Sequence, residues 1–253
     1  MTAGTEPRDE PAVRIAFYAE DKDPSPLGIL LKKFFHTDEY WNEASRPRAH
    51  FDEGRSTQGN QWKNAAGRVD LVRDLATKLR NGSFVIFHYD GDKPWAERPS
   101  DTDAQFNQQV RVRVQQLLTG PEPRRNTSTT TPTTDDPNAI DKLIVCVPYY
   151  SLEAWLYQAT DAAVALCNEH HRRRDRERFL AWGEDRSLLD EVSKPKEATC
   201  LGSGKNEELA AKVPLKDVVA AGKSLAAFRD ALLKHPSLRS VMRETVLPVD
   251  GEG

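Results

Sequence analysis

Short, nearly unbroken apolar runs recur along the chain, and segments with helical spacing separate them. The runs are VRIAFYAE at 13–20, FVIF at 84–87 and LIVCVPYY at 143–150. An apolar run of this length, rich in β-branched and aromatic residues, is typical of a strand that is buried on both faces. Strands of this kind separated by helices predict an α/β fold with a central, mostly parallel sheet flanked by helices.

Helical spacing is clearest between the first two apolar runs. The apolar residues recur there at intervals of three and four and stop before Asn81-Gly82; they are Trp62, Ala65, Ala66, Val69, Val72, Leu75, Ala76 and Leu79. An earlier helix is predicted to follow the first strand, with Ser25 as its cap and Pro26 in its first turn.

Segment 102–118 is predicted to be helical because one helical face is apolar; its residues are Phe106, Val110, Val114 and Leu117. The alternation of valines at 110, 112 and 114 also fits the two-residue period of a strand, so that alternative stays open.

Two more helices are predicted after the third strand. Segment 151–182 has the spacing of one long helix opened by Ser151. The last helix places Leu225, Phe228 and Leu232 on one side and ends before Pro236.

The same patterns divide the chain into regions. Residues 1–12 lack apolar periodicity and are predicted to be a disordered tail. An α/β domain is expected over 13–200, with a helical extension, 201–253, packed on it. Segment 120–138, rich in threonine and proline and without aliphatic or aromatic side chains, is predicted to be a disordered insertion in that domain. A domain boundary at this segment is the alternative.

Charge limits the class of partner. The 253 residues include 36 lysines and arginines against 39 aspartates and glutamates, giving a formal net charge of -3. A slightly acidic chain does not attract phosphate backbones through its total charge, so binding to nucleic acid requires a local basic patch or bound metal ions.

The chain is predicted to be cytoplasmic, without membrane contact. No apolar run reaches the ~18 residues that a membrane span requires, and the N-terminus is polar where a signal peptide would be apolar. The three cysteines, Cys146, Cys167 and Cys200, form no CxxC pair and are expected to be buried or idle thiols in a reducing compartment.

Acidic residues stand where the predicted strands end. Glu20 closes the first run, and Asp90 and Asp92 follow the second. Glu153 lies two residues into the helix after the third. Because the carboxyl ends of parallel strands meet at one edge of a sheet, these carboxylates are predicted to converge there. Carboxylates are the ligands that Mg²⁺ prefers, so the pattern favours a metal site. For any single acid, the alternative is an ordinary strand end or a favourable place at a helix N-terminus.

These motifs resemble the TOPRIM fold, the catalytic domain shared by topoisomerases, primases and the OLD-type and RloB-like nucleases of bacterial defence. The resemblance covers roughly residues 13–200 and rests on Glu20, on Asp90-Gly91-Asp92, on SLEAWL at 151–156 and on Pro195-Lys196-Glu197. Family members usually follow the first glutamate with glycine and a second acid. This chain has Asp21-Lys22-Asp23 instead, and Asp23 stands in for the second acid.

The resemblance implies a Mg²⁺- or Mn²⁺-dependent nuclease of a prokaryotic antiphage system. The implied metal ligands are Glu20, Asp90 and Asp92, with Glu153 and Asp23 as further ligands. Lys196 is the candidate cation for the charge that develops on the phosphate. The implied partners are nucleic acid, DNA being favoured over RNA, and an ATPase subunit or further copies of the chain. The alternatives are a catalytically degenerate sensor or partner-binding module, and a small phosphatase or phosphotransferase.

Arginines cluster near the end of the predicted long helix. Arg172, Arg173, Arg174 and Arg176 are the candidate nucleic-acid contacts, although a solvated helix face explains them equally well. His88, inside the second strand, is predicted to be a packed core residue, with general base catalysis as a minor alternative.

Overall fold

One sheet forms the centre of the computed structural model, which describes residues 13–37, 47–57, 62–91, 99–120, 136, 138–148, 151–169, 173–185, 203–221 and 223–248. Over these residues the sheet has five strands, all paired in parallel. They are β1 (Val13–Ala19), β2 (Ala49–Phe51), β3 (Arg55–Ser56), β4 (Phe84–His88) and β5 (Leu143–Cys146). The predicted strands β1, β4 and β5 are confirmed, whereas β2 and β3 were not predicted.

Helices flank this sheet, as the apolar pattern predicted. They are α1 (Ser25–Lys32), α2 (Ala65–Arg80), α3 (Asp101–Phe106), α4 (Val112–Thr119), α5 (Glu153–Leu156), α6 (Thr160–Glu169), α7 (Arg173–Glu184), α8 (Asn206–Lys212), α9 (Leu215–Ala221), α10 (Lys223–Leu233) and α11 (Pro236–Arg239). A π-helical segment, Asn107–Arg111, joins α3 to α4, and short 3₁₀ segments are Ala139–Lys142, Ser203–Lys205 and Glu244–Val246.

The strand order, β2-β1-β4-β5, places the first strand inside the sheet. From β1 the chain passes through α1 to β2 on one side, and then through α2 to β4 on the other side. The order of connection therefore reverses between β1 and β4. In open parallel sheets this reversal creates a crevice at the carboxyl ends of the two strands.

Both faces of the sheet are covered, which explains the unbroken apolar runs. Ile15 and Phe17 of β1 pack with α1 and the C-terminal helices, while Ala16 and Tyr18 pack with α2 and α4. Successive residues of a strand face opposite ways, so both sets require apolar side chains. The expected α/β architecture with a parallel sheet flanked by helices is confirmed.

Two predicted helix boundaries need correction at α1 and α2. Pro24, not Ser25, is the N-cap of α1, and the Asp23 side chain accepts the Ser25 backbone N–H at 2.9 Å. Pro26 lies in the first turn as predicted. Helix α2 begins after Asn64, whose side chain caps it, and ends where Gly82 adopts a φ of 81°, as Asn81-Gly82 predicted.

The helical prediction for 102–118 is confirmed, and the strand alternative is wrong. Phe106, Val110 and Val114 are fully buried on one face. The capping box of Ser100 and Asp103 begins α3, and the π-helical segment follows α3 within the same stretch.

The prediction of one long helix over 151–182 is wrong, because the chain turns after α5. From 151 to 160 every residue except Glu153 is buried. Helix α5 ends at Leu156, residues 157–159 are not helical, and α6 begins at Thr160. Ser151 does not cap with its side chain either; its carbonyl accepts the Ala154 backbone N–H.

The helices after residue 203 pack on the α1 face of the sheet. Leu209 of α8 and Phe228 of α10 belong to the same apolar core as Ile15. The Trp155 indole donates to Ser224 Oγ at 2.7 Å, which ties α5 to α10. Pro236 follows the end of α10, as predicted, and begins α11.

Several predicted segments lie outside the described residues. These are the tail, 1–12, most of the insertion (121–135 and 137) and segment 186–202. Within the described part, no helix has the length and hydropathy needed to cross a membrane.

The cysteine expectation holds only in part. Cys146 is a buried free thiol, and burial raises its pKa. Cys167, buried on α6, is disulfide-bonded, so the expectation of an idle thiol is wrong there.

Lys33 joins the end of α1 to the end of α8. Its ammonium donates to the carbonyls of Ala211 and Val213 at 2.8 and 2.5 Å, groups that a helix end leaves unsatisfied. We expect Lys33→Met to lower the free energy of unfolding by about 1 to 3 kcal/mol, because these carbonyls lose their donor. Urea unfolding measures this change.

Lys212→Met is the matched control. Lys212 makes an exposed i,i+4 ion pair with Glu208, so its loss is expected to change stability by less than about 0.5 kcal/mol. Equal stability of the two variants would contradict the assigned role of Lys33.

Candidate functional site

Glu20 and Asp90 meet at the crevice between β1 and β4. Glu20 directly follows β1, Asp90 lies two residues beyond β4, and the strands are paired in parallel. The Asp90 backbone N–H donates to Glu20 Oε2 at 3.1 Å. The two predicted acids are therefore neighbours at the reversal point.

A lysine neutralises Glu20. Lys63, just before α2, places its ammonium 3.0 Å from Glu20 Oε1. The two side chains are only 23% and 14% exposed, so solvent screens this pair less than a surface pair. Both Glu20 oxygens thus have partners: a backbone N–H and an ammonium.

His88 lies beneath the carboxylates and is fully buried, which confirms the prediction of a packed core residue. Burial lowers the pKa of His88 to about 3, so the imidazole is neutral near pH 7. Its Nδ1 accepts the Glu20 backbone N–H at 3.4 Å, which leaves the ring proton on Nε2. Nε2 lies 3.7 Å from Asp90 Oδ1, a contact of a neutral ring rather than an ion pair.

Among the described acids at the crevice, Asp21 has the most strongly raised pKa. Burial, followed by the negative charges of Glu153, Glu20 and Asp23, raises the pKa of Asp21 to about 7. Its Oδ2 is buried and has no hydrogen-bond partner among the described residues. The loop is held in place because Ser56 Oγ donates to the Asp21 carbonyl. Negative charge therefore exceeds positive charge at this point.

Glu153 belongs to the same group of charges, because its charge acts on Asp21. It lies at the start of α5, and Asn206, the first residue of α8, donates Nδ2 to Glu153 Oε1 at 3.1 Å. Asn206 Oδ1 is buried without a hydrogen-bond partner among the described residues. The C-terminal helices thus contribute a polar side chain to this edge of the sheet.

The structure brings two of the predicted acids into contact and leaves two predicted residues of the acidic site unplaced. Glu20 and Asp90 are in contact, and Glu153 and Asp23 both act on the protonation of Asp21. Asp23 is exposed, and its carboxylate accepts the Ser25 N–H. Asp92 and Lys196 lie outside the described residues.

The donor chemistry at this edge suits a hard divalent cation. Carboxylate oxygens predominate, and burial followed by the charges of neighbouring carboxylates raises the pKa of Asp21, so a cation here would offset negative charge that water does not solvate. In the part of the chain that the structure describes, no three acidic, histidine or cysteine side chains are grouped so that they could hold a metal. A complete ligand set therefore requires a donor beyond this part, and Asp92 is the predicted one.

Sequence reasoning missed Asp21, Lys63 and Asn206 as site residues. Asp21 adjoins Glu20, so its position was a usable signal. Lys63 and Asn206 lie 43 and 53 residues from the acids that they contact, and no local pattern marks them. The sequence favoured Lys196 as the cation, whereas the described cation beside Glu20 is Lys63.

Helix α7 carries the described arginines of the predicted nucleic-acid contact. Arg173 and Arg174 are exposed, Arg176 is partly buried, and Arg172 lies outside the described residues. Arg173 forms an exposed i,i+4 pair with Glu177 at 3.0 Å, which costs little to break.

Tyr157 relates α7 to the carboxylates. Burial, and then the charges of Glu153 and Asp175, raise the pKa of the Tyr157 hydroxyl. Glu153 belongs to the acidic group and Asp175 to the first turn of α7, so both lie near one hydroxyl. Phe179 of α7 packs edge-on against the Tyr157 ring, with ring centres 5.3 Å apart, so α7 packs beside the end of α5.

A separate open cavity of about 520 Å³ lies beside β2 and β3. It is lined by His50, Phe51, Asp52, Glu53, Gly54, Arg55 and Lys78. Asp52 and Lys78 form an ion pair, and none of the lining residues belongs to the acidic group at the crevice. The candidate chemistry therefore lies outside this cavity.

No protein-family model, curated protein or solved structure matches this chain. The fold class and the candidate site therefore rest on the geometry of the chain itself. The TOPRIM resemblance stays a prediction.

The raised pKa of Asp21 predicts a pH-dependent stability. The folded state binds the proton of the Asp21 carboxyl more tightly than the unfolded state does. The stabilisation of the folded state by this protonation is therefore complete below about pH 4 and is lost as pH rises through 7. We expect Asp21→Asn to be more stable than wild type at pH 8 in EDTA, by on the order of 1 kcal/mol after solvent screening. The difference should shrink at pH 5, as urea unfolding at both pH values would reveal.

Asp70→Asn is the control, because the Asp70 side chain is 89% exposed. It should change stability by less than about 0.5 kcal/mol at either pH. A stability gain in Asp21→Asn that is the same at pH 5 and pH 8 would show that charge is not its cause.

Proposed function

We propose that this protein is a TOPRIM-like, Mg²⁺-dependent nuclease that hydrolyses phosphodiester bonds in nucleic acid. The observation that carries the proposal is the contact of Glu20 with Asp90 at the reversal point of a parallel sheet. Ligand sites of open parallel sheets occur at this place. The two acids occupy the strand ends at which the TOPRIM resemblance expects metal ligands.

Each residue of the crevice has a role in this proposal. Glu20, Asp90 and Asp92 hold the metal, with Mn²⁺ able to replace Mg²⁺. Such an ion, when bound, polarises the scissile phosphate and activates a water. His88, by accepting the Glu20 N–H, fixes the backbone that presents the Glu20 carboxylate.

Glu153 orients the attacking water or completes the coordination. The Asn206 amide holds Glu153 Oε1, so the carboxylate keeps one orientation. Asp23 is the further acid at the entrance to α1, and Lys196 remains the proposed cation for the developing phosphate charge. These assignments follow the TOPRIM resemblance and have the same test as the nuclease itself.

The proposed substrate is nucleic acid, with DNA favoured over RNA. The exposed Arg173 and Arg174 of α7 support the proposal, because phosphate contacts require accessible cations on a chain whose net charge is slightly negative. An antiphage role with an ATPase partner, or with further copies of the chain, follows from the TOPRIM resemblance alone.

One observation favours a second candidate function. The Lys63 ammonium occupies the Glu20 oxygen that a metal would take. In a catalytically degenerate, partner-binding TOPRIM-like module, Glu20 would need no metal because Lys63 already neutralises its charge. Metal-dependent cleavage separates the two functions.

The test of the nuclease is cleavage of plasmid DNA and of RNA in Mg²⁺, in Mn²⁺ and in EDTA. We expect metal-dependent cleavage by wild type and losses of at least about 100-fold in Glu20→Ala and Asp90→Ala, since each removes a proposed ligand. Asp52→Asn, an acid paired with Lys78 outside the crevice, should retain activity. Equal cleavage by wild type and both alanine variants would exclude this site, and no cleavage by any of them would favour the partner-binding module.

The basic helix predicts a salt-dependent contact. Replacing both Arg173 and Arg174 by glutamine should weaken DNA binding several-fold and reduce the slope of log affinity against log salt by about 2, because each phosphate contact releases counterions. Fluorescence anisotropy over a salt series in EDTA measures both quantities.

Arg239→Gln, which removes one exposed positive charge on α11, is the control, and it is compared with each single variant, Arg173→Gln and Arg174→Gln, as well as with the pair. It should leave the affinity and the salt slope unchanged. A parallel loss in the control variant would assign the effect to overall charge rather than to α7.

A further inference from the structure

The surroundings of the Lys63 side chain favour a positive charge that balances Glu20. Its ammonium contacts Glu20 Oε1 at 3.0 Å and lies 5.0 Å from the centre of the Trp62 ring. An anion and an aromatic face both favour a cation at this point. The side chain is 23% exposed, so the ammonium is held at the edge of the crevice with limited solvent access.

The backbone of Lys63 is fixed from below by a buried arginine. Arg68 donates Nε to the Trp62 carbonyl at 2.8 Å and Nη2 to the Lys63 carbonyl at 3.1 Å. Arg68 is only 7% exposed, so this clamp belongs to the interior. A freely moving surface lysine needs no such support.

Trp62 anchors the same turn. Its side chain is fully buried and packs against Tyr89 and Phe106, with ring centres 5.6 and 5.8 Å away. Tyr89 directly precedes Asp90, so this aromatic cluster joins the Lys63 turn to the segment that carries the second acid. Lys63 and the two acids are therefore held as one unit.

The two partners of the Glu20 carboxylate determine how Lys63 affects metal binding. Oε2 accepts the Asp90 N–H and Oε1 contacts the ammonium, so both oxygens are occupied. A divalent cation that takes a Glu20 oxygen must compete with one of these groups. The backbone N–H is fixed by the fold, whereas the lysine side chain has four rotatable bonds and can leave.

We propose that Lys63 competes with the metal for Glu20: it holds the carboxylate while the site is empty and is released to a substrate phosphate when the cation binds. This inference rests on the proposed nuclease function and adds a regulated order of binding. The released ammonium is a cation beside the metal, where a phosphate supplies the anion that replaces Glu20. Lys63 thereby restrains metal binding and assists the reaction.

The first readout is metal affinity without substrate, measured from free Mn²⁺ by electron paramagnetic resonance. Lys63→Met should bind Mn²⁺ at least three-fold more tightly than wild type, because the competing cation is gone. Lys63→Arg keeps the charge and should remain within two-fold of wild type. A lysine with a purely structural role would give an unchanged or weaker affinity in Lys63→Met.

The second readout is cleavage at saturating Mn²⁺, where differences in metal affinity no longer matter. Lys63→Met should be at least ten-fold slower than wild type, since the phosphate loses its ammonium. The matched control is Lys78→Met. The Lys78 side chain is 25% exposed, close to the 23% of Lys63, and it pairs with Asp52. It should change neither readout.

The outcomes separate this inference from the nuclease itself. If wild type binds Mn²⁺ and cleaves but Lys63→Met matches it in both assays, the competition is excluded while the nuclease stands. If neither wild type nor Lys63→Met binds Mn²⁺ or cleaves, both proposals fail. Tighter binding in Lys63→Met alone, without cleavage by any variant, supports the competition and contradicts the nuclease.

Discussion

The parallel pairing of β1 with β4 is the constraint on which the rest of the structure depends. Every residue of β4 is buried, and β1 is buried except at Arg14. Helix α1 follows β1 and leads to β2 on one side of this pair, whereas α3 and α4 follow β4 and lead to β5 on the other side. The fold therefore opens a crevice at one place, and the residues that follow the two strands line it.

Crowded carboxylates give that crevice its chemistry. Asp21 is protonated far more readily than a free aspartate because it is buried beside Glu153 and Glu20. Lys63 offsets part of the charge, and its backbone depends on the buried Arg68 clamp. The near-balanced total charge thus hides a strongly uneven distribution, with acids at the crevice and exposed arginines on α7.

The C-terminal helices are part of this site as well as of the core. Lys33 holds the end of α8, and Asn206 at the start of α8 orients Glu153. The Trp155 indole, two residues beyond Glu153, donates to Ser224 on α10. Loss of these contacts would loosen the α5 acid without touching any strand.

The sequence by itself determined the strands β1, β4 and β5, because burial on both faces leaves an unbroken apolar run. It also determined most of the helices, through apolar residues three and four apart, and the acids that directly follow the strands. Tertiary structure alone decided the remainder. Strands β2 and β3, of three and two residues, are too short for a pattern, and the break between α5 and α6 lies inside a segment whose apolar spacing is continuous. Lys63 reaches Glu20 across 43 residues, and only packing specifies such a pair, since periodicity reports which face is buried and not what lies opposite.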